Sequence, residues 1–204
     1  MTDLALDLKD VRLTLGSDAG KVNILRSVDL ELAAGATASL VGPSGSGKSS
    51  LLLVTAGLEP ATSGQVRVGG QDLAGLSEDA RARFRRRRIG FVFQAFNLIP
   101  SMTALENVAT PLELAGRKDA GERASAELAA VGLADREHHL PGQLSGGEQQ
   151  RVAVARAFAG EADILLADEP TGNLDGVTGD AVIDLMFKRA RDRGAALLLV
   201  THDP

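Results

Sequence analysis

The feature that most limits how this chain can fold is a glycine-rich loop between a short strand and a helix. Thr37 to Val41 predicts the strand, and Lys48 to Ala56 predicts the helix. Glycines in such a loop let several backbone N–H groups turn inward, where they and the helix N-terminus attract a polyanion. The loop matches the pattern G-x-x-x-x-G-K-[ST], which binds nucleotide phosphates in this strand–loop–helix setting. The residues expected to surround the phosphates are Gly42, Pro43, Ser44, Gly45, Ser46, Gly47, Lys48, Ser49 and Ser50.

Two residues of this loop carry more specific roles. Lys48 is expected to reach the β and γ phosphates, and the Ser49 hydroxyl is expected to bind Mg²⁺. A glycine- and serine-rich loop without a ligand is the alternative. The flanking strand and helix favour nucleotide binding over it.

A pair of carboxylates follows the apolar run Ile164 to Ala167. Asp168 is expected to hold Mg²⁺, directly or through water, and Glu169 is expected to take a proton from an attacking water. On its own this pair is equally compatible with a solvated acidic turn. Beside a phosphate loop the catalytic interpretation is favoured, because a bound metal removes the repulsion between the two acids.

Apolar periodicity predicts the fold class. Alternating apolar residues in Leu4–Leu8, Val11–Leu15 and Val28–Leu32 predict three half-buried strands. The continuous apolar runs that end at Ala167 and at Val200 predict strands buried on both faces.

The middle of the chain differs in character. Residues 102–160 are rich in Ala, Glu and Arg and predict three or four helices, with Pro111 and Pro141 among the breaks. This order predicts an α/β core with parallel strands, interrupted by an all-helical subdomain.

Composition excludes several functions. The net charge of −5 over 204 residues argues against nucleic acid as a partner, and the absence of cysteine excludes disulfides and thiolate metal sites. The segment Met1–Asp7 has no secretory-signal pattern, and the aliphatic runs are shorter than the roughly 20 residues of a membrane helix. No direct membrane span is expected, so any membrane role requires a partner.

One further segment points to a family. The residues Leu144, Ser145, Gly146, Gly147, Glu148 and Gln149 resemble the signature motif of ATP-binding-cassette (ABC) ATPases. Gln94 resembles the family's Q-loop, Thr171–Asp175 its D-loop, and Thr201–Asp203 its switch-histidine segment. The motifs occur in the family's order over essentially the whole chain. The resemblance implies an α/β fold: a phosphate-loop NTPase with a RecA-like core, an antiparallel β subdomain and an inserted α-helical subdomain.

The resemblance also implies a mechanism. ATP and Mg²⁺ would be the cofactors, and a homodimer would bury two ATP molecules, each between the phosphate loop of one copy and the signature of the other. Glu169, His202 and Gln94 would be the catalytic residues, with His202 contacting the γ-phosphate and Gln94 sensing or binding Mg²⁺. Asp175 would couple the two sites across the interface.

The domain boundaries follow from the same resemblance. Residues 1–204 would form a single ABC ATPase domain, with 1–94 and 160–204 as the nucleotide-binding core and 95–159 as the helical signature subdomain. Family members usually continue beyond the position of Pro204, so a C-terminal tail is expected to be absent from this sequence.

A narrower likeness concerns the transporter branch. Phe91–Pro100 and Ala104–Val108 resemble the lipoprotein-release and macrolide-export branch, and Ser145–Asp175 is most similar to YbbA-type proteins. This implies integral membrane permease subunits as partners. The chain would be cytoplasmic and peripheral on the cytoplasmic face of the inner membrane, held there through the permease.

The sequence departs from the family pattern at the expected adenine-binding surface. Family members usually stack an aromatic residue on adenine, but the matching region near Leu15 has none. Leu15, Val22 or Ile24 would supply an apolar surface instead, so ATP is only favoured over GTP.

The alternative function is a non-transport ABC ATPase that acts on a macromolecular partner. The arginines between Arg81 and Arg88 are interpreted as a solvated helix end rather than a nucleic-acid or lipid contact.

Overall fold

Two long strands form most of an antiparallel sheet. The structure, a computed structural model, describes residues 3–17 and 20–201. Strands β1 (Leu4–Ser17) and β2 (Gly20–Ala33) pair with each other, and β4 (Ser63–Val68) and β5 (Gln71–Asp72) extend the sheet in the order β2-β1-β4-β5. The alternating apolar residues of β1 and β4 place one face of this sheet on the core.

A β-bulge joins the first two predicted strands into one. The pairing of β1 with β2 shifts register between Leu8 and Val11, and Asp10 between them has a φ of 47°. The extra residue allows Leu8 before the bulge and Val11 after it to point into the same core, so the prediction of separate strands is wrong. Gly64 is required beside the bulge, since a Cβ there would lie 2.3 Å from the Asp10 carbonyl oxygen.

The second sheet is parallel and central. Its strands are β3 (Thr37–Val41), β6 (Ile89–Phe93), β7 (Ile164–Asp168) and β8 (Ala196–Thr201), in the order β3-β8-β7-β6. Successive residues of β7 and β8 pack alternately into two apolar cores, one on each face, as their continuous apolar runs predict. The carboxyl ends of these strands therefore meet at one edge of the sheet.

Six α-helices surround the sheets in the described ranges 3–17 and 20–201. Three of them, α3 (Ala104–Leu114), α4 (Ala120–Ala130) and α5 (Gly146–Ala159), lie between β6 and β7 and form the predicted helical insert. The remaining helices are α1 (Lys48–Thr55), α2 (Glu78–Arg88) and α6 (Gly176–Arg193).

The sequence predicts a break between helices at Pro111, but the structure has no break there. Pro111 lies inside α3, close to the helix C-terminus, where its missing N–H removes a single main-chain hydrogen bond. Thr103 starts this helix with a capping box, in which Thr103 Oγ1 accepts a hydrogen bond from Glu106 N and the Glu106 carboxylate accepts one from Thr103 N.

A buried ion cluster connects the insert to the core. Glu127 of α4 is 5% exposed, and its two carboxylate oxygens accept hydrogen bonds from Arg189 and Arg193 of α6. The Arg189 guanidinium also lies over the Phe158 ring, 5.7 Å from its centroid. These contacts link α4, α5 and α6.

Replacing Glu127 with Gln should destabilise the fold by about 3 kcal/mol, because loss of one partner leaves buried guanidinium charge uncompensated. Urea denaturation measures this change. Glu122→Gln, on the exposed side of the same helix, is the matched control. Equal unfolding midpoints for the two variants would contradict a structural role for the cluster.

Candidate active site

The phosphate loop lies where the sequence predicts, between the end of β3 and the start of α1. Gly47 precedes α1 with a φ of 93°, and within the described ranges no side chain caps the first turn of this helix. The positive end of the helix dipole and its main-chain N–H groups therefore face the loop. A Cβ on Gly47 would lie 3.1 Å from the Ile24 carbonyl oxygen, so β2 packs tightly against the loop.

Lys48 folds back over this loop. Its Nζ donates hydrogen bonds to the carbonyl oxygens of Gly42 at 2.7 Å and Pro43 at 2.9 Å. The ammonium group is thus held at the centre of the loop, where it adds a full charge to the dipole of α1. This arrangement suits a bound polyphosphate.

The predicted Mg²⁺ ligands are brought together from distant parts of the sequence. Ser49 Oγ donates a hydrogen bond of 3.0 Å to Asp168 Oδ1, at the carboxyl end of β7. Mg²⁺ prefers one or two protein oxygens together with waters and substrate phosphates. A hydroxyl and a carboxylate beside a phosphate loop fit that preference.

Glu169 lies in the same cavity as the phosphate loop. The cavity has a volume of about 250 Å³, and its wall is formed by Ile24, Ser44, Gly45, Gly47, Lys48, Ser49, Ser50 and Glu169. Glu169 has a φ of 46°, and its main chain is fixed by hydrogen bonds to Val200 and Gly172. Non-glycine residues in this conformation are strained by about 1–3 kcal/mol and cluster at functional sites.

Gln94 follows β6 and lies against the D-loop. A Cβ on Gly172 would come within 2.6 Å of Gln94 Nε2, so the carboxamide lies directly over that glycine. Asn173 Nδ2 donates to the Gln94 carbonyl oxygen at 2.9 Å. Gln94 is a neighbour of the metal ligands through the β6–β7 pair Phe93 and Asp168. Its contact with the metal stays a prediction.

The signature motif occupies the start of α5. Ser145 is the exposed N-cap: its Oγ accepts a hydrogen bond from Glu148 N, and the Glu148 carboxylate accepts bonds from the Ser145 N–H and hydroxyl. The backbone hydrogen bond from Ser145 holds the pKa of Glu148 below its usual value. The capping contribution is therefore fully present above the unfolded pKa and is lost as the pH falls through the folded value.

The two signature glycines pack against the D-loop and α6. A Cβ on Gly146 would lie 3.3 Å from the Leu174 side chain, and one on Gly147 would lie 2.4 Å from the Thr178 methyl group. Leu144 is buried below them, and its carbonyl oxygen accepts a hydrogen bond from Gln149 Nε2 at 3.1 Å. The signature and the D-loop thus form one continuous surface.

Asp175 caps α6 beside this surface. Its Oδ1 accepts a hydrogen bond from Thr178 N at 3.0 Å, and this bond lowers the pKa of the Asp175 carboxyl. The proposed catalytic His202 lies outside the described residues, which end at Thr201 in this region.

Sequence reasoning missed two supporting residues in α5. Arg156 donates to the carbonyl oxygens of Phe96 and Asn97, both of which have positive φ angles, and burial lowers the pKa of its guanidinium. Gln150 Nε2 donates to the Pro170 carbonyl oxygen. The sequence signal that could have identified both residues is a polar side chain on an otherwise apolar, buried face of α5.

The arginines of α2 are engaged within the protein more than a solvated helix end suggests. Arg85 donates to the Gly57 carbonyl oxygen, Arg88 pairs with Asp163, and Arg81 pairs with Glu78. Leu15 and Val22 pair across β1 and β2 and are 40% and 51% exposed. That they supply an apolar surface for the base in place of an aromatic residue stays a prediction.

A phosphate loop and a carboxylate pair at one edge of a parallel sheet define a phosphate-loop nucleoside triphosphatase. Residues 25–172 match the family model described as ABC transporter. The chain is 50% identical over 200 residues to the ABC transporter ATP-binding protein YbbA of Escherichia coli (strain K12), covering 97% of this chain and 88% of that protein. It is equally identical, over the same length, to the lipoprotein-releasing system ATP-binding protein LolD of Geobacter metallireducens, covering 97% and 89%.

A solved structure has the same fold. The ATP-binding cassette MJ0796, in a dimeric post-hydrolysis state bound to ADP and Pi, matches with a TM-score of 0.88 and 41% identity over 97% of this chain and 88% of that one. The chain belongs to the ATP-binding proteins of the ABC transporter family. It is an ABC ATPase that uses ATP and Mg²⁺, which confirms the predicted family, fold class and cofactors.

Proposed function

We propose that this chain hydrolyses ATP as a head-to-tail homodimer and that each active site combines residues from both copies. The observation that carries this proposal is the separation of the two half-sites. In the described ranges, the cavity wall contains the phosphate loop and Glu169 but none of the signature residues. The exposed Ser145 and the N-terminus of α5 then serve the γ-phosphate of a nucleotide bound by the other copy.

Each group has a defined task in this site. Lys48 and the main-chain N–H groups of the loop bind the β and γ phosphates, and Ser49 with Asp168 holds Mg²⁺. When bound, the metal offsets the negative charge that builds up on the phosphates. Glu169 accepts the proton of the attacking water. Gln94 and His202 complete the site, Gln94 toward the metal and His202 toward the γ-phosphate.

An exposed apolar side chain at the start of α6 supports dimerisation. Val177, in the first turn of α6 next to Asp175, is 84% exposed, and it adjoins the surface formed by the signature and the D-loop. An exposed aliphatic side chain at the edge of a half-site is suited to burial against a second copy. Asp175 couples the two sites from this position.

We also propose that the domain is divided into two parts. Residues 1–94 and 160–204 act as the nucleotide-binding core, and 95–159 act as the signature-bearing subdomain. The ion cluster of Glu127 with α6 lies across this division.

We further propose that the ATPase drives a separate permease of the lipoprotein-release type. An apolar groove of about 340 Å³ lies between β6 and α3, next to the segment that follows Gln94. Phe91, Phe93, Ile99 and Leu114 contribute to it, and Leu114 is 63% exposed. No helix within the described ranges is both long enough and apolar enough to cross a membrane. A permease seated in this groove places the chain on the cytoplasmic face of the inner membrane.

The test separates transport from the non-transport alternative. The tagged wild-type chain is expected in the inner-membrane fraction of its host. Leu114→Asp should release it into the supernatant, because a charge in the groove opposes burial. Leu58→Asp, at an exposed leucine that is not part of the groove wall, is the matched control and should stay with the membrane. Wild-type chain found only in the supernatant would favour the non-transport ATPase.

A further inference from the structure

Gln150 places a fully buried carboxamide between two loops of the active site. Its Nε2 donates to the Pro170 carbonyl oxygen at 2.5 Å and lies 3.4 Å from the Phe93 carbonyl oxygen. Because both neighbours are acceptors, the amide nitrogen has to face them. The Oε1 atom is buried without a hydrogen-bond partner in the described part of the chain.

Both acceptors adjoin residues of the reaction. Phe93 directly precedes Gln94, and Pro170 directly follows Glu169. The bond to the Pro170 carbonyl oxygen therefore fixes the Pro170–Thr171 peptide, one residue after Glu169, whose φ of 46° is unfavourable for a non-glycine residue. Such a conformation persists only where the surroundings hold it. Gln150 supplies one of those restraints, alongside the main-chain bonds of Glu169 to Val200 and Gly172.

The same helix carries the signature in its first turn, close to Gln150. Ser145 and Gln150 are separated by five residues, or about 7.5 Å along a helix axis. The capping box of Ser145 and Glu148 holds the first turn of α5, and Gly147 packs against Thr178. A displacement of the signature is therefore transmitted along α5 to Gln150 as a movement of a rigid element.

We infer that Gln150 is a positioning residue that couples the two ATP sites of the dimer. The inference rests on the proposed function, in which the signature of one copy contacts the nucleotide of the other. One end of α5 then contacts the partner's ATP, and Gln150 holds the catalytic turn of its own copy. Closure of one site therefore changes the position of Glu169 in the other site. As a result, the rate of hydrolysis depends cooperatively on the ATP concentration.

The experiment uses two variants that keep the size of the side chain. Gln150→Met removes the donor from an unbranched chain of the same length, and Gln150→Glu faces the two carbonyl oxygens with a carboxylate. Gln71→Met is the matched control, since Gln71 Nε2 also donates to a carbonyl oxygen, that of Asp72, far along the chain from the site. Readouts are kcat, the Hill coefficient for ATP, the ATP affinity of the monomer and the melting temperature.

Both Gln150 variants are expected to lower kcat at least about tenfold, because small displacements of a catalytic group have large effects on rate. Their Hill coefficient should fall from above 1 to about 1, with monomer ATP affinity unchanged within about twofold. The control should match wild type in all four readouts.

Three results would overturn the inference or its basis. An unchanged Hill coefficient in both variants overturns the coupling role, even if kcat falls. A fall in kcat that tracks the melting temperature alone assigns Gln150 to stability only. Wild-type chain that stays monomeric in Mg²⁺ and ATP, and hydrolyses ATP without cooperativity, overturns the proposed function as well.

Discussion

Glu169→Gln is expected to lower kcat by about 10²- to 10⁴-fold while ATP binding is retained. The amide has the size of the carboxylate, so the turn that starts at the end of β7 can keep its conformation, but it cannot accept a proton from water. Because ATP then persists in both sites, the dimer should accumulate. Single-turnover phosphate release and light scattering in Mg²⁺ and ATP measure the two effects.

The control for Glu169→Gln is Glu161→Gln, at an exposed carboxylate that precedes β7 and pairs with Arg117 and Arg123. This control variant should hydrolyse ATP at the wild-type rate. Wild-type turnover in Glu169→Gln would remove Glu169 from its proposed role. Loss of turnover without dimer accumulation would mean that hydrolysis does not govern dissociation.

Lys48→Ala should produce the second large effect, a loss of ATP affinity of about 10- to 100-fold, as expected for a hydrogen bond to a charged group worth about 1.5–3 kcal/mol. Turnover should fall further, because the ammonium group also stabilises the charge that develops during phosphoryl transfer. Equilibrium binding of a fluorescent ATP analogue and steady-state hydrolysis measure the two changes.

Lys188→Ala, an exposed lysine of α6, is the matched control for Lys48→Ala and should leave both quantities unchanged. Since Lys48 also bonds to the Gly42 and Pro43 carbonyl oxygens, melting temperatures establish that the variant remains folded. Unchanged ATP affinity and turnover in a folded Lys48→Ala would refute the phosphate-loop interpretation.

The elements that the sequence predicts well are those set by local chemistry. The strand ending at Val41, the helix beginning at Lys48 and the buried strand over the run Ile164 to Ala167 are all present, because each depends on apolar periodicity or on glycine positions within a few residues. Ser77, a residue type that favours helix N-termini, likewise caps α2, with its Oγ accepting a hydrogen bond from Ala80 N.

The predictions that are wrong concern features that depend on contacts between residues distant in sequence. Nothing near Asp10 signals that a bulge keeps Leu8 and Val11 on one strand, because the bulge is defined by pairing with β2 and β4. Pro111 was predicted to break a helix, but its position near the end of α3 makes the lost hydrogen bond tolerable.

The same reason limits what the sequence says about the site. The motif residues were found because each motif is a local pattern, whereas the bond from Gln150 to Pro170 joins residues 20 apart and that from Arg156 to Phe96 joins residues 60 apart. The capping box of Ser145 and Glu148 is local, and the pattern Ser-x-x-Glu could have revealed it.

The composite active site is tested most directly by mixing two inactive variants. Lys48→Ala keeps an intact signature, and Ser145→Arg keeps an intact phosphate loop but blocks, with a bulky cation, only the site that its own signature would complete. Neither homodimer has a working site. In the mixed dimer, the phosphate loop of one copy meets the signature of the other, and one complete site is restored.

Equal mixing should therefore recover ATP hydrolysis well above the sum of the two separate rates, up to about one quarter of the wild-type rate for randomly paired copies in a symmetric dimer. Both proteins must first be shown to be folded by their melting temperatures, and Ser145→Arg to bind ATP. A mixture no faster than the sum of its components would mean that the copies do not share a site.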